Sequence, residues 1–235
     1  MSIKGIFPID KWDFQSGSVL RDLPAKDFEL LTARQREQNC SKGEVIFREG
    51  SLPTGIFYIR EGKVKKYKTD KEGKERIIYV ANSGELIGYH ALLAEDRYPD
   101  SAAALENCQI VFIPKESFWA ALGQSEILGR RLLKTLSHEF AVLANSLTVF
   151  SEKSVRERLA LQLVVLREKY KINFQPGMSV AITMSRDDLA SLVGTARENI
   201  IRVLGEFKGK GILTTQGRKI IVNDVKQLIS IANHS

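Results

Sequence analysis

Cysteine is almost missing from this sequence: its 235 residues hold two, Cys40 and Cys108, far apart and in no Cys-x-x-Cys pair. That excludes an iron–sulfur cluster held by four thiolates and suits a reducing compartment. Neither cysteine lies in a thiolate-stabilising cluster, so both read as buried apolar fillers rather than redox sensors. Histidine is equally sparse, with three residues. There is no His-Glu-x-x-His, no P-loop and no nucleophile elbow, so the chain reads as no enzyme and as having no metal site. No apolar run approaches the roughly 18 residues of a membrane span. The first residues also lack the basic and apolar regions of a signal peptide. The expectation is a soluble cytoplasmic protein with no membrane partner. Internal repeats and low-complexity tracts are missing too.

Positive charge is present, and unevenly placed. The formal net charge is +7, yet residues 151–235 carry 14 Lys and Arg against 8 Asp and Glu, while the first 150 carry 21 against 20. A generally basic surface would show no such asymmetry. Neutralisation of nucleic-acid phosphates by the C-terminal third would.

That third contains a helix-turn-helix pattern between Thr183 and Asp224. Ser185 and Asp188 form a capping box for a helix from Arg186 to Val193. Gly194 supplies the turn. Thr195 and Glu198 read as a second capping box, opening a helix to about Lys208. In it Ile200, Val203, Leu204 and Phe207 fall at i, i+3, i+4 and i+7 and bury one stripe. Arg197 projects from the first turn, and Glu198 and Arg202 face away from the stripe, as a recognition helix in a major groove requires. Glu198 also lies four residues before Arg202, so an intrahelical ion pair is expected beside its capping and base-reading roles. Thr195, Ser185 and Lys219 are candidate phosphate ligands, with cap and surface roles as the alternative. Ile212 to Thr214, a turn over Gln216-Gly217, and Lys219 to Val222 predict a two-stranded wing.

Upstream, Pro24 to Gln35 reads as a short amphipathic helix. Gly50, Gly62, Gly73 and Gly84 then recur at intervals of 12, 11 and 11 residues. Between and after them lie β-rich runs: Val45 to Phe47, Ile56 to Ile59, Val64 to Tyr67, Ile77 to Val80, Ala102 to Leu105 and Ile110 to Ile113. This spacing predicts a small barrel or jelly roll. A long helix follows, in which Leu128, Leu132, Leu136, Phe140, Leu143 and Leu147 recur at three- and four-residue steps up to Phe150. So wide an apolar arc is expected to pack on a second copy of itself through Ile127 to Phe150; a helix lying on the barrel is the alternative. Ser151 to Ser154 reads as a hinge, and Val155 to Tyr170 as an amphipathic helix. The predicted class is α+β: residues 1–125 an N-terminal segment and β-roll (a double-stranded jelly roll), 126–150 a dimerisation helix, 151–235 a winged helix-turn-helix.

In that order these elements resemble the Crp–Fnr superfamily of bacterial transcription regulators over about Pro24 to Val222. The specific pieces are Lys42 to Gly50 (Lys-Gly-Glu-Val-Ile-Phe-Arg-Glu-Gly), Ser83 to Gly88 (Ser-Gly-Glu-Leu-Ile-Gly), Glu157-Arg158-Leu159-Ala160 and the helix-turn-helix itself. The resemblance implies homodimers on palindromic promoter sites of double-stranded DNA, a small effector in the β-roll, and contact with RNA polymerase. Arg197-Glu198-x-x-x-Arg202 is similar to the cyclic-AMP receptor branch. That implies a guanine for each arginine, a cytosine amino group for Glu198, and half-sites with a G-T-G-A-like core about one helical turn apart. The Fnr branch has serine where this chain has Ile201, which offers only an apolar contact.

The effector pocket departs from the family. Cyclic-AMP-binding members use a Gly-Glu pair for the ribose and an Arg-Ser pair for the cyclic phosphate; the matching positions here are Gly88-Tyr89 and Asp100-Ser101. Tyrosine cannot accept ribose hydroxyls as a carboxylate does, and Asp100 would repel the phosphate. Arg97 is the one nearby substitute. Cyclic AMP is therefore not the expected effector, and the effector and any cofactor stay unassigned. The cysteine cluster of the oxygen-sensing Fnr branch is missing from this sequence. In a carbon-monoxide-sensing haem member the residue matching His90 ligates iron, and a cysteine stands where this chain has Gly88. His90 thus has two readings, a hydrogen-bonded structural residue and a haem ligand. His138 and His234 suggest no site. A β-roll and winged helix serving only as a protein-interaction module is the remaining alternative, and the basic C-terminal third argues against it.

Overall fold

A computed structural model describes residues 3, 5–14, 16, 19–171 and 179–233, so His234 lies outside the described residues. The chain divides into two units, Phe14–Phe140 and Ala141–Ser235 together with Met1–Asp13.

In the first unit Pro24 precedes α1 (Ala25–Thr32), which stops three residues short of the expected end because Arg36–Cys40 is already strand β1. The expected apolar runs become β2 (Val45–Phe47), β3 (Gly55–Glu61), β4 (Lys63–Thr69), β5 (Glu75–Asn82), β7 (Ser101–Ala104) and β8 (Cys108–Pro114), with the two-residue β6 (Leu86–Ile87) between β5 and β7. They pair antiparallel in two four-stranded sheets, ordered β1-β8-β3-β6 and β2-β7-β4-β5. β1 was not expected: it reads Arg-Glu-Gln-Asn-Cys with only Cys40 buried, so it has no apolar alternation to detect. The spaced glycines do make turns. At Gly62, φ is +92° and an added Cβ would lie 2.6 Å from Cys108 Sγ, so both conformation and space require glycine there.

The sequence gap between the two cysteines closes in the fold. Cys40 and Cys108 are directly opposed on β1 and β8 and both are buried. Burial pushes both thiols above the ordinary cysteine range, which lowers their thiolate content and their reactivity.

Three helices complete the unit: α2 (Tyr89–Leu93), α3 (Lys115–Gln124) and the start of α4 (Glu126–Glu152). Ile56, Leu86, Leu92, Ile113, Phe118 and Leu128 share one core cluster. Each such side chain contributes about 1.5–3 kcal/mol on burial. Within α4 the single apolar arc expected from the sequence splits into two faces. Leu128, Leu132, Val142 and Val149 are buried within the chain, and so are Thr135 and Glu139 on the same side. Leu133, Phe140 and Leu147 are instead 67, 75 and 74% exposed. Leu143 is exposed and Leu136 and Phe150 half-buried.

In the second unit the α4–α5 junction is Lys153-Ser154 alone, because Ser151 and Glu152 continue the helix. Ser154 then caps α5 (Val155–Lys169) in a capping box: its backbone N–H donates to Glu157 Oε2 at 2.8 Å and its hydroxyl accepts from Glu157 N at 3.4 Å. The Ser154 hydroxyl also donates to Glu157 Oε2 at 2.5 Å, and this bond, with that from Ser154 N, holds the Glu157 carboxyl below its ordinary range. α5 is buried around most of its circumference rather than along one stripe. Five elements pack on it: α6 (Arg186–Val193), α7 (Arg197–Gly209), α8 (Val225–Asn233) and β9 (Ala181–Thr183), along with the N-terminal residues. In that N-terminal segment Ile3 and Phe7 are buried, Asn145 donates to the Lys11 carbonyl at 3.1 Å, and Lys169 pairs with Asp13 at 2.7 Å. The wing, β10 (Leu213–Gln216) and β11 (Lys219–Val222), gains β9 as a third strand in the order β10-β11-β9. No helix among the described residues is long and apolar enough to cross a membrane.

Candidate functional site

The helix-turn-helix is built by local chemistry. Ser185 caps α6, its hydroxyl accepting from Asp188 N at 2.9 Å. Gly194, at φ 71°, turns the chain, and Gly194 N and Thr195 N both donate to the Ala190 carbonyl. The second capping box does not form. The N-cap of α7 is Ala196, with no side-chain cap, and Thr195 lies outside the helix, accepting from Asn199 Nδ2 at 3.1 Å. The turn needs one residue more than the sequence pattern allowed, which moves Thr195 away from the cap position.

α7 buries Ile200, Val203, Leu204 and Phe207, the expected stripe. Arg197, Glu198, Ile201 and Arg202 are all exposed on the other side. Arg202 pairs with Glu206 at 2.6 Å, not with Glu198: both glutamates are four residues away, and the structure selects the later one. Arg197 lies 3.6 Å from Asp187, both exposed. The unpaired N–H groups at the start of α7 add a positive dipole end beside Arg197. Lys219 is exposed at the start of β11, and Ser185 is half-buried at the entry of α6. Arg197, Glu198 and Arg202 thus share one face of α7, with Thr195 before it.

Arg158, quoted above only as part of a motif, fastens this unit. Its guanidinium donates to the carbonyls of Val193 (3.0 Å) and Gly194 (3.2 Å) in the turn and of Lys153 (2.8 Å) at the end of α4. Arg186 likewise donates to the Gly217 carbonyl at the wing turn, 3.1 Å away. An arginine aimed at backbone carbonyls leaves no pattern in sequence, which is why both roles were missed.

In the β-roll, Gly88 at φ 82° ends β6 and starts α2, and a Cβ there would press on Tyr98 at 3.3 Å. This fixes Tyr89 and His90, whose rings stack at 4.2 Å between centroids. Neither side chain is idle. Tyr89 Oη donates to Glu139 Oε1 and His90 Nε2 meets Glu139 Oε2, each at 2.5 Å. Burial and the Glu139 charge push the Tyr89 hydroxyl far above its ordinary range. Burial pushes the Glu139 carboxyl up, but bonds from His90 and Tyr89 and the charges of His90 and Lys66 outweigh it, and the net shift is downward. Asp100 is buried and paired with Lys66 at 3.0 Å, and Ser101 Oγ accepts from Glu49 N at 2.9 Å. Arg97 donates to the Gly50 carbonyl at 2.8 Å. The structure therefore gives Tyr89 and His90 a common partner, Glu139. Asp100 and Ser101 have partners of their own. Glu139 and Lys66 were missed by sequence reasoning; the one signal was a carboxylate interrupting the buried face of α4.

Two parts of the chain match known families. Residues 37–125 match the cyclic nucleotide-binding domain family, and residues 157–231 match the Crp-like helix-turn-helix domain family. The chain is 28% identical over 198 residues to the anaerobic regulatory protein of Aggregatibacter actinomycetemcomitans, covering 84% of this chain and 77% of that protein. It is also 28% identical over 202 residues to the fumarate and nitrate reduction regulatory protein of Escherichia coli (strain K12), covering 86% and 80%. Its fold is similar to that of FixK2 from Bradyrhizobium japonicum, with a TM-score of 0.74 at 20% identity over 86% of this chain and 98% of that one.

Proposed function

The chain belongs to the Crp–Fnr family of transcription regulators, and from that premise we propose that it binds palindromic promoter sites as a homodimer, without cyclic AMP as its effector. DNA binding through the helix-turn-helix, and regulation rather than enzymatic catalysis, come with the family. In our reading it works in the bacterial cytoplasm and contacts RNA polymerase. The β-roll, up to residue 125, serves as sensor, 126–150 as dimerisation helix and 151–235 as DNA reader, with residues 1–13, expected on the sensor, packed instead with the DNA-reading unit.

The exposed face of α7 carries this reading. Entering a major groove by its N-terminal half, α7 presents Arg197 and Arg202 to guanines, Glu198 to a cytosine amino group and Ile201 to a thymine methyl. Ser185, Thr195 and Lys219 flank that face as phosphate ligands. The Arg202–Glu206 pair does not prevent base contact. An exposed i,i+4 pair is worth about 0.3–0.5 kcal/mol, whereas a bidentate arginine–guanine contact is worth about 1–3 kcal/mol, so DNA wins. Self-association rests on the second face of α4. Leu133, Leu136, Phe140, Leu143, Leu147 and Phe150 alternate steps of three and four residues, a heptad seam, and are exposed or half-buried.

Selection from random DNA should return an inverted repeat with half-sites about one turn apart. Arg202→Ala should cost about 1–3 kcal/mol and relax preference at one guanine, whereas Lys219→Ala should weaken all sequences alike and lower the salt slope by about 1. Selection without a palindrome, or an Arg202→Ala protein with unchanged preference, would show that α7 does not read bases.

A cyclic phosphate entering the β-roll would meet the carboxylates of Asp100 and Glu139, with tyrosine in place of a ribose-binding carboxylate. Titration calorimetry should accordingly detect no tight binding of cyclic AMP or cyclic GMP, and sub-micromolar affinity for either overturns this assignment. To ligate haem iron, His90 would first have to release Glu139, which weighs for its structural reading.

A further inference from the structure

Glu139 stands on the buried face of α4, among Leu132, Thr135 and Val142, where a charged group is costly. What offsets the cost is a matched set of donors. One carboxylate oxygen takes the Tyr89 hydroxyl and the other takes His90 Nε2. The Lys66 ammonium adds favourable charge from β4 while paired to Asp100. The two donors are adjacent residues of α2, stacked on each other and set by the left-handed Gly88, so their geometry is fixed before any carboxylate arrives. A phenol hydroxyl and an imidazole aimed at the two oxygens of one planar group is the donor set that a free carboxylate would select. His90 is 31% exposed, which leaves a route from solvent to the site.

We propose that Tyr89 and His90 form a carboxylate-binding site in the β-roll and that its resident ligand is the chain's own Glu139. α4 is then latched to the sensor domain by a side chain where a diffusible effector would otherwise be needed. Glu139 directly precedes Phe140, which lies on the exposed seam of the same helix, so release of the latch frees the segment that presents that seam. The regulatory meaning rests on reading the β-roll as the sensor and α4 as the dimer helix. The site itself does not, and the test reads occupancy without DNA.

The test is scanning calorimetry of the full-length wild type, Glu139→Ala, and Glu139→Ala with His90→Ala, at constant ionic strength in chloride, acetate or phosphate. Glu139→Ala should melt several degrees below wild type in chloride. Acetate should raise its melting temperature in a saturable way, while leaving wild type and the double variant unmoved. Equal effects of acetate on all three proteins, or none on Glu139→Ala, overturn the proposal. A rise with phosphate and not acetate overturns its carboxylate assignment. Should Glu139→Ala fail to fold, Glu139→Gln keeps the shape without the charge. It should melt several degrees below wild type at neutral pH, and parity with wild type overturns the latch. None of these outcomes depends on whether α7 binds DNA, so failure here and failure of the DNA-binding reading are separable.

Discussion

Leu147→Glu should turn the protein into a monomer and weaken its binding to a complete inverted repeat by about 10²–10⁴-fold, the loss expected when two linked half-site contacts become independent. The expectation follows from where Leu147 stands. It is 74% exposed in the single chain, so the substitution removes no contact on which the monomer depends. Surface changes of that kind stay within about ±0.5 kcal/mol. In a two-fold seam, however, it faces its own copy, and two glutamates there combine desolvation with like-charge repulsion. Sedimentation equilibrium should show the monomer, and its melting temperature should no longer depend on protein concentration as that of a wild-type dimer does. Fluorescence anisotropy should show little change on a single half-site. A Leu147→Glu protein that still sediments as a dimer, or that binds the full repeat at wild-type strength, removes the seam from Leu133 to Phe150 as the interface.

The second large effect is on the reader itself. Phe207 is fully buried at the end of the α7 stripe, beneath the Arg156 guanidinium at 5.7 Å from its ring centre, and its carbonyl accepts from Ile212 N at the entry to the wing. Phe207→Ala should cost about 3–5 kcal/mol, the usual price of truncating a buried phenylalanine. Against the roughly 5–15 kcal/mol that stabilises a whole domain, this is enough to abolish ordered DNA binding near physiological temperature. Phe14–Phe140 forms a unit with its own core, so its melting transition should not move. Calorimetry would show one transition falling and one fixed. Arg202→Ala should show the converse, with lost sequence preference and unchanged transitions. If Phe207→Ala lowers both transitions together, the two units do not fold independently.

The helix-turn-helix was legible because its determinants are close in sequence. Ser185 and Asp188, Gly194, and the i, i+3, i+4, i+7 stripe each act over less than two helical turns, and the structure keeps all of them. Misreadings arose where the surrounding structure overrode a local preference. Thr195 is the better cap and Glu198 the better-oriented partner by local preference, yet the turn's length puts Ala196 at the cap position and Arg202 pairs with Glu206. Strand β1 stayed hidden because it carries polar residues on both faces. α8 does have local signals that were passed over: Asp224 caps it, accepting from Gln227 N at 3.0 Å, and the buried Val225, Leu228, Ile229 and Ala232 fall at i, i+3, i+4 and i+7.

By itself, then, the sequence determined the class of the protein: apolar periods of two and of 3.6 residues, glycines at positive φ, and positive charge gathered in the last third. Each reports on a residue's own backbone or nearest neighbours, so each can be read without a partner in view. Only the tertiary structure decided which face of α4 is buried within the chain and which stays exposed. It set Cys40 opposite Cys108, aimed Arg158 at the turn carbonyls, and brought Glu139 to Tyr89 and His90. Those outcomes depend on contacts between residues dozens of positions apart, and a hydrogen bond or a buried charge is fixed by the direction and dielectric of its surroundings, which exist only once the sheets and helices have closed around it.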